Sequence, residues 1–318
     1  MSGRLVLDAP GPSGRGSLAP PPDGPARRAR RSSARQRALR AALHTFLVLT
    51  CLVWLSPLLW AVYASLRTYA DTAERGYFSL PGELTLDNFT RAWEQADLPH
   101  YYLNTLVITL PAVAVTLLLS SLVAFVVSRF SFRFHLLLLM VFTAGNLLPQ
   151  QVIVTPLHRL YLLLPLPEWL SESGMLLDSQ LGVVLIHIAF QSGFCTFVLS
   201  NYMKTIPTEL TEAARVDGAG VLRQYWQVVL PLCRPALAAL ATLEFTWIYN
   251  DFLWALVLIQ TGEKMPITSA LANLGGQYFR DNNLIAAGSL LAALPTLVVF
   301  FALQRHFVSG LTLGATKG

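Results

Sequence analysis

Long apolar runs separated by short polar stretches dominate the pattern along this chain of 318 residues. Six runs lie at about residues 43–66, 103–127, 136–157, 181–202, 236–259 and 284–304. Each is long enough to cross a bilayer core as a helix, which takes about 20 residues. The pattern therefore predicts an all-α, polytopic membrane protein with six transmembrane helices. Pro149, Gln150 and Gln151 interrupt the third run, and His187, Gln191, Ser192 and Gly193 interrupt the fourth. Kinked backbone at membrane depth persists where it is buried in protein or lines a wet cavity, so both runs are expected to border a pathway. The fifth run carries Glu244, Asn250 and Asp251. Glu244 and Asp251, seven residues apart, are expected to share a helix face, with Glu244 near the midplane and Asp251 nearer the outer mouth. Such charges are costly and turn toward a cavity or a partner. Hydrogen bonding to a neighbouring subunit accounts for them equally well. Gln150, Gln151, Glu244, Asn250 and Asp251 are the candidate pathway residues. His187 is the histidine within a run, and both a functional and a packing role stand open for it.

Composition agrees with the pattern. Hydrophobic residues make up 54% and charged residues 13%, against about 25% charged in soluble domains. The net charge of +5 is concentrated beside the membrane and is not a nucleic-acid footprint. Residues 1–40 are rich in Pro, Gly, Ser, Ala and Arg and are expected to form a disordered tail. Its cluster Arg27, Arg28, Arg30, Arg31, Arg35, Arg37 and Arg40 abuts the first run and reads as an anchor for the anionic cytoplasmic leaflet of the lipid bilayer. The run from Ala41 to Leu66 is too long for a signal-peptide core. With both ends inside, only Arg67, Arg75, Arg91, Arg159, Lys264 and Arg280 of the 23 basic residues fall outside. The positive-inside rule therefore puts both termini in the cytoplasm. The first outer loop is expected to hold a short amphipathic helix near Leu86 to Trp93, and the outer stretch 158–180 to form a docking surface.

The polar stretch between the fourth and fifth runs is the most informative. Pro207 is placed at a first helical position, with Glu209 and Glu212 in the early turns, where acidic side chains suit the helix dipole. Leu210, Ala213, Ala214 and Asp217 are expected on one face. Gly218 and Gly220 are expected to end the helix through the left-handed conformation that glycine tolerates. A second helix, from about Leu222 to Leu230, is expected to stop at Pro231.

Glu212-Ala213-Ala214, then Gly218, Val228 and Leu230-Pro231, resembles in full register the cytoplasmic coupling loop of binding-protein-dependent ABC importer permeases. Ile206-Pro207, Asn250-Asp251-Phe252-Leu253-Trp254 and Phe307-Val308-Ser309-Gly310-Leu311-Thr312 are similar to the maltose/multiple-sugar branch. The resemblance covers about Ala41 to the end. It implies the type I ABC importer permease fold over residues 41–318, with the coupling loop at about 204–233, in a bacterial inner membrane. Its ATPase-coupling residues would be Glu212, Ala213, Ala214, Asp217, Gly218, Leu230 and Pro231. It further implies a sister permease subunit, an ABC ATPase dimer that holds ATP and Mg, and an extracytoplasmic solute-binding protein.

No G-x-x-x-x-G-K-[ST] stretch occurs, so a phosphate cradle for ATP is not expected on this chain. Histidines are scattered, and Cys51, Cys195 and Cys233 are far apart, so neither a metal site nor a disulfide is expected. No cofactor is expected on the chain. A same-fold permease for another solute, such as glycerol-phosphate or a polyamine, stays open. An integral-membrane enzyme would need clustered acidic or histidine residues at a membrane face. An ion-driven carrier would not need the coupling loop.

Overall fold

The computed structural model describes residues 25–145, 149–273 and 280–312. The chain divides into two compact units, Met1–Leu59 and Trp60–Gly318. Helix α1, Pro25–Ser65, begins in the first. Residues 1–24 of the expected disordered tail lie outside the described residues, whereas residues 25–40 are helical. Alanine and arginine, which dominate there, are good helix formers. Too few apolar side chains for a core does not forbid a solvated helix that runs on into a span.

In the second unit, α4 (Leu98–Arg129) packs chiefly on α7 (Gln180–Lys204). The buried residues Ile108, Ala112, Thr116, Ser120 and Ala124 recur every four positions along α4. Lipid offers no hydrophobic gain from apolar helix pairing, and small side chains that let backbones approach replace it. Ser120 Oγ donates to the Ser192 carbonyl of α7 at 3.1 Å. Helix α14 (Asn282–Thr312) packs on α11 (Arg234–Tyr249). Pro295 inside α14 cannot donate to the carbonyl of Leu291, four residues back. The Tyr102 hydroxyl of α4 donates to that carbonyl instead, at 2.6 Å.

Among the described residues, four stretches are long and apolar enough to cross a membrane: Gln36–Ser65 of α1, α4, α7 and Asn282–Gln304 of α14; counting each of two bent helix pairs as one span brings the number to as many as six. The third expected run is one of these pairs. Helices α5 (His135–Gly145) and α6 (Gln150–Leu163) meet at 92° instead of continuing straight from 136 to 157. Pro149, with φ −60° and ψ 126°, is extended and opens α6. The fifth run is also broken. Helix α11 ends at Tyr249, and α12 (Leu253–Leu258) begins after Asn250–Phe252. Glu244 and Asp251 therefore do not share a helix face. Asn250 Nδ2 donates back to the Thr246 carbonyl at 2.7 Å, and the Asp251 carboxylate accepts from the Trp254 and Ala255 N–H groups. Asn and Asp side chains that bond nearby backbone favour helix ends over helix interiors.

Outside the spans, α2 (Tyr69–Arg75) and α3 (Asp87–Gln95) follow α1, and α3 lies where an amphipathic helix was expected. Arg67 is buried and pairs with Asp71 at 2.7 Å. Asn88 of α3 donates to the Ser65 and Arg67 carbonyls. The stretch after α6 folds back through a Pro165–Met175 bridge. Asp178 pins it, accepting from the Gln260 and Thr261 N–H groups at 2.8 Å each. Trp169 at its tip is 81% exposed.

Candidate functional site

Two groups of candidate residues occupy different parts of the molecule. The first is the polar segment between α7 and α11. Helix α8 spans Glu209–Val216, with Thr208 at its N-cap, so Pro207 precedes the helix instead of opening it. Glu209 and Glu212 occupy its first turn. Asp217 is the C-cap residue, and its N–H still donates to the Ala213 carbonyl at 3.0 Å, so the helical ladder reaches it. The Ala219 N–H donates to the Ala214 carbonyl at 2.8 Å, and the Gly218 N–H to the Arg215 carbonyl at 3.0 Å. This six-to-one and five-to-two pairing is a Schellman cap, and it needs a left-handed residue at the turn. Gly218 supplies it, with φ +78°. The spacing from Ala214 to Gly218 is thus the spacing of a cap. Gly220 has φ −65° and instead opens α9 (Val221–Gln224).

A π-helical turn, Tyr225–Val229, follows, and then α10, Leu230–Leu232. The chain bends by 74° into α11 after Leu232, one residue beyond Pro231. The wide π turn just before it, closed by the Leu230 N–H on the Tyr225 carbonyl, accommodates the missing donor. Tyr225 is fully buried, bonds Ser121 of α4 at 2.6 Å and packs its ring 5.4 Å from Phe125. Arg129, at the end of α4, donates to the Ile206 carbonyl at 3.1 Å. Gln224 Nε2 donates to the Ala219 carbonyl at 2.8 Å and closes the glycine turn. None of the α8 side chains is buried. Leu210, Val216, Leu222 and Trp226 are exposed apolar groups on this segment. The segment is thus held rigidly to the inner helices while its other face is bare. Gln224, Tyr225 and Arg129 carried no local signal in the sequence; their roles come from contacts across the fold.

The second group forms a cavity of about 570 Å³ where α6, α7 and the α11–α12 break converge. Gln150, Asn250 and Asp251 line it, joined by His187, Gln191, Thr246 and Trp247. Gln151 is exposed and does not line it. Glu244 does not line it either: it is fully buried, and its Oε1 accepts from Cys195 Sγ of α7 at 3.1 Å. Asp251 turns its carboxylate to the start of α12, with His187 Nε2 3.6 Å away. Cys233 is buried like Cys195, while Cys51 is exposed.

A family model for the binding-protein-dependent transport system inner membrane component matches residues 101–312. The chain belongs to this family. It is 33% identical to the maltodextrin transport system permease protein MdxG of Bacillus subtilis, over 86% of this chain and 95% of that protein. It is 29% identical to the melibiose/raffinose/stachyose import permease protein MelC of the same organism, over 90% of this chain and 99% of MelC. Its fold is that of a chain in the crystal structure of a bacterial ABC transporter that imports the acidic polysaccharide alginate. That likeness has a TM-score of 0.71 at 22% identity and covers 86% of this chain and 98% of the other. The chain is thus a multi-pass membrane permease subunit of an ABC importer with the type I fold.

Proposed function

We propose that this permease subunit imports a carbohydrate, shares its translocation path with a sister permease and is driven by a separate ABC ATPase dimer. The solute class rests on the maltodextrin and melibiose/raffinose/stachyose permeases to which the chain is similar over nearly their whole length. An extracytoplasmic binding protein delivers the solute, and the pinned hairpin around Trp169 offers it a docking surface. ATP and Mg are held by the ATPase. Both termini lie in the cytoplasm, which places α8 on the same side as the ATPase.

The exposed α8 unit carries this reading. A helix that buries none of its own side chains, yet is locked through Tyr225 to Ser121 and Phe125, is suited to transmit a push. Closure of the ATPase on α8 would move the inner ends of α4 and α7 with it. The cavity at Asn250 and Asp251 would open alternately to the two sides. Glu212 faces the ATPase, Ala213 and Ala214 let it approach, Asp217 and Gly218 end the helix, and Leu230-Pro231 lead back to α11.

Co-purification of the ATPase tests the coupling role. Glu212→Ala is expected to reduce the ATPase retained and the uptake together. Full retention with normal uptake would remove Glu212 from the interface. In the same cells, a cysteine placed at position 215 should resist an impermeant thiol reagent added outside. Its labelling would overturn the orientation.

A further inference from the structure

We infer that this chain itself holds a solute subsite in the cavity between α6, α7 and the α11–α12 break, and that the subsite takes a neutral, hydroxyl-rich ring. The inference rests on the carbohydrate-import reading and deepens it. The volume, about 570 Å³, is that of a small-ligand pocket, for which about 300–1,000 Å³ is usual. Its wall combines apolar planes, Trp247 and Phe252, with short polar groups, as a ring with apolar faces and hydroxyl edges requires.

The hydrogen-bonding state of the wall points to a ligand. His187 is 4% exposed, and its Nε2 is buried with no hydrogen-bond partner among the described residues. The Asp251 carboxylate, 3.6 Å away, is too far to serve as one. A buried polar atom without a partner is costly, and a hydroxyl group reaching this pair would supply one. Thr246 gives its proton to the Thr242 carbonyl at 2.8 Å, which leaves its oxygen as an acceptor. Asn250 gives an amide proton to the Thr246 carbonyl, which leaves its Oδ1 as an acceptor. Gln150 and Gln191 add amides that can both donate and accept.

The charge on the wall selects against other solute classes. Among the described residues, no lysine or arginine lines this cavity. A phosphate or carboxylate would face the Asp251 carboxylate. Arg280 lines a separate cavity that shares Asn250 and Phe252. A polyamine would find one carboxylate, already accepting from two backbone N–H groups. A neutral ring needs no counter-charge.

Two measurements on the assembled complex separate this inference from the reading beneath it. Uptake into proteoliposomes of labelled maltotriose, raffinose, glycerol 3-phosphate and spermidine tests the carbohydrate reading. Equilibrium dialysis of the same two sugars against the permease–ATPase complex, without binding protein, tests the subsite. We expect uptake and direct binding of at least one sugar. Thr246→Val and Gln191→Leu should each weaken binding about fivefold to tenfold, the value of one neutral hydrogen bond. Trp247→Ala should abolish it and Trp247→Phe restore most of it. The amount of ATPase that co-purifies should not change. If neither sugar is taken up, both readings fall. If sugar is taken up but does not bind the complex, or binds equally in all four variants, the subsite alone falls. Should Trp247→Ala not assemble, Thr246→Val and Gln191→Leu decide.

Discussion

Asp251 does two things at once. Its carboxylate accepts from the Trp254 and Ala255 N–H groups at 3.2 and 3.3 Å, and it faces the cavity beside His187. A capping side chain is worth about 1 kcal/mol, and asparagine caps nearly as well as aspartate. Asp251→Ala is therefore expected to lower the melting temperature of the purified complex, while Asp251→Asn stays close to the wild type. Uptake should fall in both, because both remove the carboxylate from the wall. Normal uptake in Asp251→Asn would leave Asp251 with the cap alone. The thermal scan and the uptake assay read the two roles separately. Glu244, the other carboxylate of the fifth run, is packed against Cys195 and carries no comparable expectation for the solute.

The elements separate two kinds of sequence information. The segment between α7 and α11 was legible because its geometry is local. A Schellman cap spans six residues, and its glycine shows in the spacing. That leads to a contrast. A Cβ at Gly218 or at Gly220 would meet open space, so only the backbone distinguishes them. Gly218→Ala should destabilise the turn by about 1–2 kcal/mol, the cost of the left-handed conformation for an L-residue. Gly220→Ala, at φ −65°, should be silent. Retention of the ATPase on the purified permease checks both, and equal behaviour of the two would contradict the cap. The breaks were partly legible. Pro149, Gln150 and Gln151 mark the interruption of the third run, and α5 and α6 are bent apart there, whereas His187, Gln191, Ser192 and Gly193 mark one in the fourth that the continuous α7, Gln180–Lys204, does not have. Hydropathy counts apolar residues and does not record direction, so neither the 92° angle nor the break at Asn250–Phe252 shows in it. The cavity was half legible: Gln150, Asn250 and Asp251 announce themselves as polar residues in apolar runs. Thr246 and Trp247 do not, because only the crossing of α11 with α6 and α7 brings them to the wall. The π turn before Pro231 was hidden for a related reason: it has no composition of its own.

At the scale of the whole molecule, the spans are joined by polar contacts that compensate one another. The Tyr102 hydroxyl takes the Leu291 carbonyl that Pro295 leaves without a donor, and so ties α4 to α14. Tyr102→Phe alone should orphan a carbonyl within the membrane and destabilise the complex by about 1–3 kcal/mol. In a Pro295→Ala background the helix can make its own bond, and the same change should cost much less. Thermal melts of the two single variants and the double variant measure this coupling, and additive effects would contradict it. The pair therefore has an evolutionary direction. A lineage can shed the tyrosine after the proline has gone. The reverse order passes through an intermediate in which α14 has lost both its own bond and its borrowed one. Drift at either position is thus gated by the other, although 193 positions separate them along the chain.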